Sequence, residues 1–453
     1  MVNHSLERAG KLFGTDGIRG TANTDLSPLL ALKLGTAAAH VIAEGRRDAK
    51  ILIGRDPRIS GDILEAALAA GILSMGVDVV LVGVISTPGV AYLTTQIGAV
   101  AGAVISASHN PVSDNGIKFF GYDGHKLPDE TERRIEQHIE TFDELPRPVG
   151  KDVGRMIRKH ELIYEYAAYV KNTSACRLEG IKLVIDCAHG ASSELAPEIF
   201  SELGAQVITT NCHPNGVNIN ENCGSLYPHG MAEAVRAFGA DAGLSFDGDA
   251  DRVIMADEKG CVVDGDHIMA IYALDRKAEN DLPGNLVVGT VMSNVGLEIA
   301  LSERGIRLIR TPVGDRNVWE EMNRSGAIIG GEKSGHIILS RYTSTGDGMI
   351  TGLQVLSLMI SKDKRLSELA AQMQEFPQLL VNVPVRERDG WDQVPEIVEA
   401  IDAAERQLEG RGRVLVRPSG TEKLIRVMTE GPDLAELQLL TEHMVSVVRE
   451  KLG

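Results

Sequence analysis

The chain has 453 residues, of which 43% are hydrophobic, and a formal net charge of −17 at pH 7. This length can bury more than one core, so we expect two to four domains, and the negative charge disfavours nucleic acid or an anionic membrane as a partner. The start of the sequence lacks an apolar signal segment, and no apolar run approaches about 18 residues, which predicts a cytoplasmic protein without a membrane span.

Short β-branched runs alternate with helical patterns along most of the chain. The runs that predict strands are KILIG, VDVVLVG, GAVISAS, IKLVID, AQVITT, AGLSF, NLVVGT, IRLIR and AIIGG. Helical periodicity appears in SGDILEAALAAGILS and NVGLEIALSERG. Strands that are hydrophobic almost throughout are typical of sheets covered on both faces. The pattern therefore predicts an α/β fold with parallel or mixed sheets.

Three segments share one plan. GAVAGAVISASHNP, GADAGLSFDGDADR and SGAIIGGEKSGH each have a Gly/Ala-rich entry, a buried strand and a polar loop, and another extended run follows each loop. Three copies of one α/β unit explain this pattern. Ligands gather at the carboxyl ends of strands in such units, so we expect the three loops to face one cleft.

Shifts in composition suggest four domains, which comprise residues 1–155, 156–258, 259–372 and 373–453. The first boundary follows the Pro/Gly-rich segment DELPRPVGKDVGR, and the second lies near EKGCVVDGD. The last segment has strands QLLVNVPV, RVLVR and LIRVMTE and a long amphipathic helix, DLAELQLLTEHMVSVVREKL. This pattern is typical of a small α+β domain.

The first polar stretches lie in the first predicted domain. FGTDGIRG offers Thr15, loop amides and Arg19, which together suit an oxyanion. SASHNP places Ser108 and His109 straight after a strand, with Lys118 shortly behind. A serine hydrolase is the weaker interpretation, because the G-x-S-x-G elbow is absent and adjacent residues do not readily pair as nucleophile and base. An Asx/Pro turn without chemistry is the structural alternative.

FDGDADR places Asp247, Asp249 and Asp251 alternately at the end of a strand. Three carboxylates so close repel one another unless a cation neutralises them, which predicts a Mg²⁺ site. An EF-hand is the alternative, because Glu258 falls at its twelfth position. Arg252, however, stands where that loop needs glycine. A phosphate on Ser108 would suit this metal, and Lys118 would stabilise phosphoryl oxygens or move protons.

The last two stretches suggest sugar and phosphate binding. GGEKSGH provides Glu332, Ser334 and His336, and its carboxylate and hydroxyl can bind neighbouring hydroxyls of a sugar. In VRPSGTEKLIR, an arginine precedes a short hydroxyl- and glycine-containing loop and a second arginine follows it, which is the pattern of a phosphate site. Its members are Arg417, Ser419, Gly420, Thr421 and Arg426. Plain polar turns are the structural alternatives in both places.

FGTDGIRG, ISASHNP, DGDADR, GEKSGH and RPSGTE, in this order, resemble the α-D-phosphohexomutase superfamily. The first two, together with VGDRNV and the STGDG region, look most like its bacterial phosphoglucosamine mutase family. The resemblance implies three similar mixed-sheet α/β domains and a C-terminal α+β domain around a central cleft. It also implies an isomerase of the phosphotransferase type that interconverts glucosamine 6-phosphate and glucosamine 1-phosphate and feeds UDP-N-acetylglucosamine and cell-wall precursor synthesis.

The resemblance also implies a role for each motif residue. Ser108 would be the phosphoserine and would hold one Mg²⁺ together with Asp247, Asp249 and Asp251. Around the transferring group would lie Arg19, His109, Lys118 and Arg252. Glu332 and Ser334 would contact sugar hydroxyls, with His336 close by. The non-reacting phosphate would be held by Arg417, Ser419, Gly420, Thr421 and Arg426. A hexosamine 1,6-bisphosphate would serve as primer and intermediate, and the enzyme would be a monomer or homodimer.

Two positions depart from the family pattern. Lys423 replaces the proline of GTEPLIR, and Asn317 stands at the tyrosine of VGDRYV. Neither change removes an expected catalytic group, but both bear on sugar preference. Phosphomannomutase or phosphoglucomutase activity is therefore the nearest alternative, followed by a metal-dependent sugar phosphatase and a non-catalytic sugar-phosphate sensor.

Overall fold

The computed structural model describes residues 12–14, 16–46, 48–387, 389–408, 410–419 and 423–453. The chain divides into two compact units. The first consists of the described residues up to Val291 together with Ile309–Ala371, and the second of Met292–Leu308 and Gln372–Gly453.

The first sheet has six strands in the order β1-β5-β4-β2-β3-β6. Its core is built from apolar side chains of the strands and of the first two helices, including Leu34, Ile51 and Leu68. The first helix begins where Ser27 Oγ accepts a hydrogen bond from Leu30 N and proline occupies the first helical turn. The elements are β1 (Ile18–Thr21), α1 (Pro28–Ala43), β2 (Lys50–Arg55), α2 (Gly61–Leu73), β3 (Asp78–Val84), α3 (Thr87–Gln96), β4 (Ala101–Ile105), β5 (Asp114–Gly121), α4 (Asp129–Glu140) and β6 (Met156–Arg158).

The second sheet has five strands in the order β11-β10-β9-β7-β8. Every residue of β9 and β10 is buried, as the hydrophobic runs AGLSF and VIMAD predict for strands covered on both faces. The elements are α5 (Leu162–Asn172), β7 (Lys182–Asp186), α6 (Leu195–Glu202), β8 (Gln206–Thr210), α7 (His229–Phe238), β9 (Ala242–Phe246), β10 (Val253–Asp257) and β11 (Val262–Val263).

The third sheet has four strands in the order β13-β12-β14-β15. Helix α11 is buried along most of its length, and it begins where Asp347 accepts a hydrogen bond from Ile350 N. The elements are α8 (Gly265–Ala278), β12 (Leu286–Thr290), α9 (Val295–Ser302), β13 (Arg307–Thr311), α10 (Asp315–Ser325), β14 (Ile329–Gly331), β15 (Ile337–Leu339), α11 (Gly348–Lys362) and α12 (Leu366–Ala370), of which α9 belongs to the second unit.

These three sheets share one order of four strands. It is β5-β4-β2-β3 in the first, β10-β9-β7-β8 in the second and β15-β14-β12-β13 in the third. In each sheet the first two strands are antiparallel, and the second is parallel to the third. The predicted repeat is confirmed, and each of its polar loops joins the first two of these strands.

The second unit contains an antiparallel three-stranded sheet in the order β16-β18-β17, covered by helices. Apolar residues of these elements form its own core, including Ile425, Val427 and Met444. The predicted α+β domain is therefore confirmed. The elements are β16 (Gln378–Pro384), α13 (Pro395–Leu408), β17 (Arg413–Pro418), β18 (Leu424–Glu430) and α14 (Leu434–Leu452). Across the described parts of both units, none of the helices combines the length and apolarity that a bilayer span requires.

Candidate active site

Ser108 lies in the loop that joins β4 to β5. Its side chain is buried, and its φ of 52° is left-handed, a conformation that costs free energy for a residue other than glycine. Ser108 Oγ donates a hydrogen bond of 2.5 Å to Asp247 Oδ2 and lies 3.2 Å from His109 Nδ1. The serine hydroxyl therefore meets the acidic loop of the second sheet.

The acidic loop follows β9 and contains Asp247, Asp249 and Asp251, all of them buried. One carboxylate oxygen from each lies within 4.8 Å of the other two. Burial raises the pKa of Asp247 well above its ordinary value, and the charges of Asp251 and Asp249 raise it further. Among the described residues, Asp249 Oδ1 and Asp251 Oδ1 have no hydrogen-bond partner. Buried oxygens without a donor are what a hard cation binds, so this set fits Mg²⁺.

The surroundings of the acidic loop do not resemble an EF-hand. The loop joins the antiparallel strands β9 and β10, whereas an EF-hand loop joins two helices. Glu258, the twelfth-position candidate, accepts hydrogen bonds from the backbone and hydroxyl of Ser367. The rejection of the EF-hand is confirmed.

Lys118 on β5 is the main cation at the acidic loop. Its Nζ lies 2.9 Å from Asp249 Oδ2, 3.8 Å from Asp251 Oδ2 and 3.2 Å from Asp16 Oδ2. Burial alone would lower the pKa of Lys118, but these three carboxylates raise it above the ordinary lysine value. Lys118 is therefore an ammonium ion at neutral pH, which favours charge stabilisation over proton transfer.

His109 and Arg19 are two further basic residues near the Ser108 loop. Burial lowers the pKa of His109 to about 4, and the nearby Arg252 and Arg19 act in the same direction. The imidazole is therefore neutral at pH 7, and its Nδ1 lies within hydrogen-bonding distance of Ser108 Oγ, whose hydrogen is donated to Asp247. The guanidinium of Arg19 donates hydrogen bonds to Asp16 and to Asn110 Oδ1.

A cavity of about 370 Å³ opens beside these groups, with Arg19, Asp251, Arg252, Glu332 and His336 among its lining residues. The backbone of Arg252 forms a β-bridge with His336, which joins the second and third polar loops. Glu332 Oε1 accepts a hydrogen bond of 3.0 Å from the backbone N of Gly314 at the start of α10. Ser334 Oγ lies 3.5 Å from the second oxygen of Glu332. The carboxylate is thus oriented beside a volume suited to a sugar.

The second unit contains an arginine pair, Arg417 and Arg426, at directly opposed positions of β17 and β18. Burial lowers the pKa of Arg417, and the charge of Arg426 lowers it further. Ser419 follows Arg417 and is buried, with its backbone N donating to Leu424 O at 2.9 Å. Like charges directly opposite each other destabilise a sheet, so the pair suits an anion that binds both. Gly420 and Thr421, the other expected members, lie outside the described residues.

Comparison with known proteins agrees with this arrangement. Four family models of phosphoglucomutase/phosphomannomutase match in order: α/β/α domain I at residues 10–145, domain II at 164–260, domain III at 264–376 and the C-terminal domain at 380–447. The chain is 52% identical over 439 residues to a phosphoglucosamine mutase of Desulforamulus reducens, covering 97% of this chain and 99% of that protein. It is 55% identical over 430 residues to the one of Moorella thermoacetica, covering 95% and 97%. The chain belongs to the phosphoglucosamine mutase family. It is therefore a phosphohexomutase, an enzyme of the isomerase class.

Solved structures share the fold at lower identity. A phosphoglucomutase/phosphomannomutase family protein from Burkholderia thailandensis is 22% identical, with a TM-score of 0.81 and 98% of each chain covered. An N-acetylphosphoglucosamine mutase from Aspergillus fumigatus, solved with GlcNAc-6P and magnesium, is 20% identical, with a TM-score of 0.68 and coverage of 98% of this chain and 97% of that one.

The structure brings most of the predicted side chains together within the first unit. They come from all three polar loops and from two strands of the first sheet. This set is Arg19, Ser108, His109, Lys118, Asp247, Asp249, Asp251, Arg252, Glu332, Ser334 and His336. The arginine pair and Ser419 lie in the second unit.

Sequence reasoning missed three charged residues of the site. Asp16 lies between Lys118 and Lys126, whose Nζ is 2.6 Å from Asp16 Oδ1 and 2.5 Å from Asp315 Oδ2. Attraction to Lys118 and Lys126 outweighs the effect of burial and keeps the pKa of Asp16 well below its ordinary value. Asp16 and Asp315 stand inside FGTDGIRG and VGDRNV, which the sequence analysis had selected, and Lys126 stands in IKFFGYDGHKL, the extended run that follows the first polar loop. Their charged side chains in otherwise Gly-rich or apolar stretches were the available signal.

Proposed function

We propose that the chain interconverts glucosamine 6-phosphate and glucosamine 1-phosphate, with Ser108 as the carrier of the phosphoryl group. The observation that carries the proposal is the 2.5 Å contact between Ser108 Oγ and Asp247 Oδ2, which puts a buried hydroxyl against three clustered carboxylates. The names of the relatives at 52–55% identity support glucosamine phosphate as the substrate.

Two transfers complete the reaction. In the first, the bond between Ser108 Oγ and phosphorus breaks while a hydroxyl of glucosamine 6-phosphate forms a bond to the same phosphorus, which gives glucosamine 1,6-bisphosphate. In the second, the reoriented bisphosphate returns its other phosphoryl group to Ser108 Oγ, which releases glucosamine 1-phosphate. Each transfer moves one proton between the sugar hydroxyl and the serine side.

The side chains around Ser108 have separate roles: some stabilise the charge of the phosphoryl group, and one accepts a proton. Lys118, Arg19 and Arg252 supply positive charge for the phosphoryl oxygens. Lys118 keeps its proton because of its carboxylate neighbours. His109 Nδ1, neutral at pH 7 and 3.2 Å from Ser108 Oγ, is a proton acceptor within reach of the hydroxyl.

The acidic loop is proposed to hold one Mg²⁺ through Asp247, Asp249 and Asp251, with an oxygen on phosphorylated Ser108 as a further ligand. When bound, the ion draws negative charge from the transferring phosphoryl group. Asp249 Oδ1 and Asp251 Oδ1 are buried and accept no hydrogen bond in the described part of the chain, which supports this assignment.

Recognition of the sugar and of its second phosphate is assigned to separate groups. Glu332 and Ser334 would bind sugar hydroxyls. The arginine pair, with Ser419, Gly420 and Thr421, would bind the phosphate that is not transferred, whichever end of the sugar carries it. We expect a cytoplasmic enzyme, monomeric or homodimeric, that supplies an activated amino sugar for UDP-N-acetylglucosamine and cell-wall precursor synthesis.

The experiment compares turnover of glucosamine, glucose and mannose 6-phosphates, each primed with its own 1,6-bisphosphate, while release of inorganic phosphate is measured in parallel. We expect the fastest turnover with glucosamine 6-phosphate and only trace phosphate release. Ser108→Ala should lose turnover and still bind sugar phosphate, whereas Ser113→Ala, an exposed serine of the same loop, should keep both. Faster turnover of glucose or mannose phosphate would assign the enzyme to the related mutases. Stoichiometric phosphate release would indicate a phosphatase.

A further inference from the structure

Arg58 is a fully buried arginine between β2 and α2, outside every motif selected from the sequence. Its Nε donates to Asp56 Oδ2 at 2.8 Å, and both side chains have 0% exposure. A buried ion pair carries a desolvation cost, so its value depends on the further hydrogen bonds that its members make. The further hydrogen bonds of Arg58 and Asp56 go to the loop that contains Ser108.

The guanidinium of Arg58 binds backbone carbonyls of the Ser108 loop. One terminal nitrogen donates to Ser108 O at 2.9 Å and to Asn110 O at 2.8 Å. The other donates to Pro111 O and, at 3.2 Å, to Asp114 O. A single planar side chain thus fixes four carbonyl groups between the end of β4 and the start of β5.

Asp56 holds the other side of Ser108. Its Oδ2 accepts a hydrogen bond of 2.6 Å from Ser106 Oγ, which in turn accepts one of 2.9 Å from Ser108 N. The ion pair therefore anchors both the amide and the carbonyl of Ser108, the residue whose left-handed φ of 52° needs external support.

Asn220, in the domain that contains the second sheet, donates hydrogen bonds to two of the same four carbonyls. Asn220 Nδ2 donates to Ser108 O at 2.9 Å and to Asn110 O at 3.0 Å. Asn220 is itself fixed by the bond from its backbone N to Ala188 O. The acidic loop also approaches the Ser108 loop closely at Gly248, where a Cβ would lie only 2.5 Å from Ser108 O. Two adjacent domains of the first unit therefore hold one peptide carbonyl.

We propose that Asp56, Arg58 and Asn220, here called the carbonyl clamp, are positioning residues that hold the backbone of Ser108 so that its Oγ faces the acidic loop throughout both transfers. The inference rests on the proposed role of Ser108 as phosphoryl carrier. None of the three residues lines the 370 Å³ cavity that the described residues form at the site. The clamp therefore acts on the transfer geometry and leaves sugar affinity unchanged.

Asn220→Gly provides the first test, because glycine accepts the positive φ of 59° at this partly exposed position. The matched control is Asn222→Gly, at an exposed neighbour with φ of 53°. We expect Asn220→Gly to lower kcat about 10-fold to 100-fold, the effect of a small misplacement of a reacting atom, with KM for glucosamine 6-phosphate and Mg²⁺ affinity within about twofold of wild type. The control should match wild type in all three.

Arg58→Lys provides the second test, since lysine keeps the charge beside Asp56 but cannot reach four carbonyls. The lifetime of the phosphoserine, followed by intact mass after priming with the bisphosphate, is measured in both clamp variants. A loosened loop exposes the phosphate to water, so hydrolysis should accelerate in both variants and not in Asn222→Gly.

The outcomes separate this inference from the proposed function. Wild-type kcat and wild-type phosphoserine lifetime in Asn220→Gly would overturn the carbonyl clamp alone, as would a loss of kcat matched by an equal rise in KM. A wild-type enzyme that never carries phosphate on Ser108 would overturn the proposed function instead. If Arg58→Lys does not fold, the result with Asn220→Gly decides.

Discussion

The acidic loop and the arginine pair both lie where two antiparallel strands meet a short loop, yet their charges are opposite. In the first, three buried carboxylates face the cations Lys118 and Arg252, and two of the carboxylate oxygens accept no hydrogen bond among the described residues. In the second, two guanidinium groups oppose each other, and within the described sequence neither forms an ion pair. The excess of one charge at each place supports the proposed ligands, a cation at the first and a phosphate at the second.

Removing one carboxylate tests the first half of this comparison and should have the largest effect. Asp247→Asn removes the charge of the carboxylate that accepts the hydrogen bond from Ser108 Oγ. We expect kcat to fall about 10²-fold to 10³-fold, the usual cost of losing one group that stabilises transition-state charge. Mg²⁺ affinity, measured by calorimetry, should fall as well. Glu233→Gln, at an exposed acid on α7, is the control and should change neither. Unchanged metal affinity in Asp247→Asn would contradict the proposal that the acidic loop binds a cation.

Removing one arginine tests the second half. Arg417→Ala leaves Arg426 without its opposed charge and would remove the proposed charge-assisted hydrogen bonds to phosphate, each worth about 1.5 to 3 kcal/mol. We expect KM for glucosamine 6-phosphate to rise about 10-fold to 100-fold while Mg²⁺ affinity stays constant. Arg406→Ala, at an exposed position of α13, is the control. A loss of metal affinity without a change in KM would contradict the division between the two regions.

A buried carboxylate that caps a helix allows the cost of burial to be measured apart from the metal. Asp347 accepts hydrogen bonds from Ile350 N and the hydroxyl of Tyr166, and burial raises its pKa to about 6 from an ordinary value of 3.8. The folded state therefore binds the proton more tightly than the unfolded state, so this group's contribution to stability falls as pH rises from about 4 to about 6 and is constant above.

Asp347→Asn should abolish that dependence. Without added metal, we expect the free energy of unfolding of the variant, relative to wild type, to increase by about 2 to 3 kcal/mol between pH 4 and pH 7. Urea unfolding of both proteins at each pH measures the difference, and groups common to both cancel. A difference that does not vary with pH would show that burial does not penalise this carboxylate.

The smallest effect is expected at Asn317 on α10, where the sequence departs from the family pattern. Asn317 Nδ2 donates to Val313 O at 3.0 Å, next to Gly314, whose N donates to Glu332. Asn317→Tyr loses one hydrogen bond, worth about 1 kcal/mol, so KM should rise only a few-fold with kcat unchanged. A switch of preference toward glucose or mannose phosphate in this variant would instead make Asn317 a determinant of sugar choice.

The fold was largely predictable from local patterns. Buried strands such as AGLSF appear as hydrophobic runs, and the repeat is visible because three loops follow the same kind of strand. The acidic loop was predictable because three carboxylates alternate within a few residues, where repulsion is independent of the rest of the fold.

Two long-range pairings with residues outside the selected motifs were not predictable. Asp16 and Lys126 are 110 residues apart, and Asn220 is 112 residues from the carbonyl of Ser108 that it binds. Neither pair leaves a periodic or local signal, because the contacts arise only when separate loops meet. The sequence does not distinguish Arg58 from an ordinary exposed loop arginine, and only the structure shows that it is buried.

The most direct test is the mass of the intact protein after incubation with glucosamine 1,6-bisphosphate and removal of small molecules. Wild type and Ser113→Ala should each gain one phosphoryl group, located on Ser108 by peptide mapping, and should lose it when glucosamine 6-phosphate is added. Ser108→Ala should gain none. Phosphate on another residue, or full turnover by Ser108→Ala, would contradict the role of Ser108 as the phosphoryl carrier.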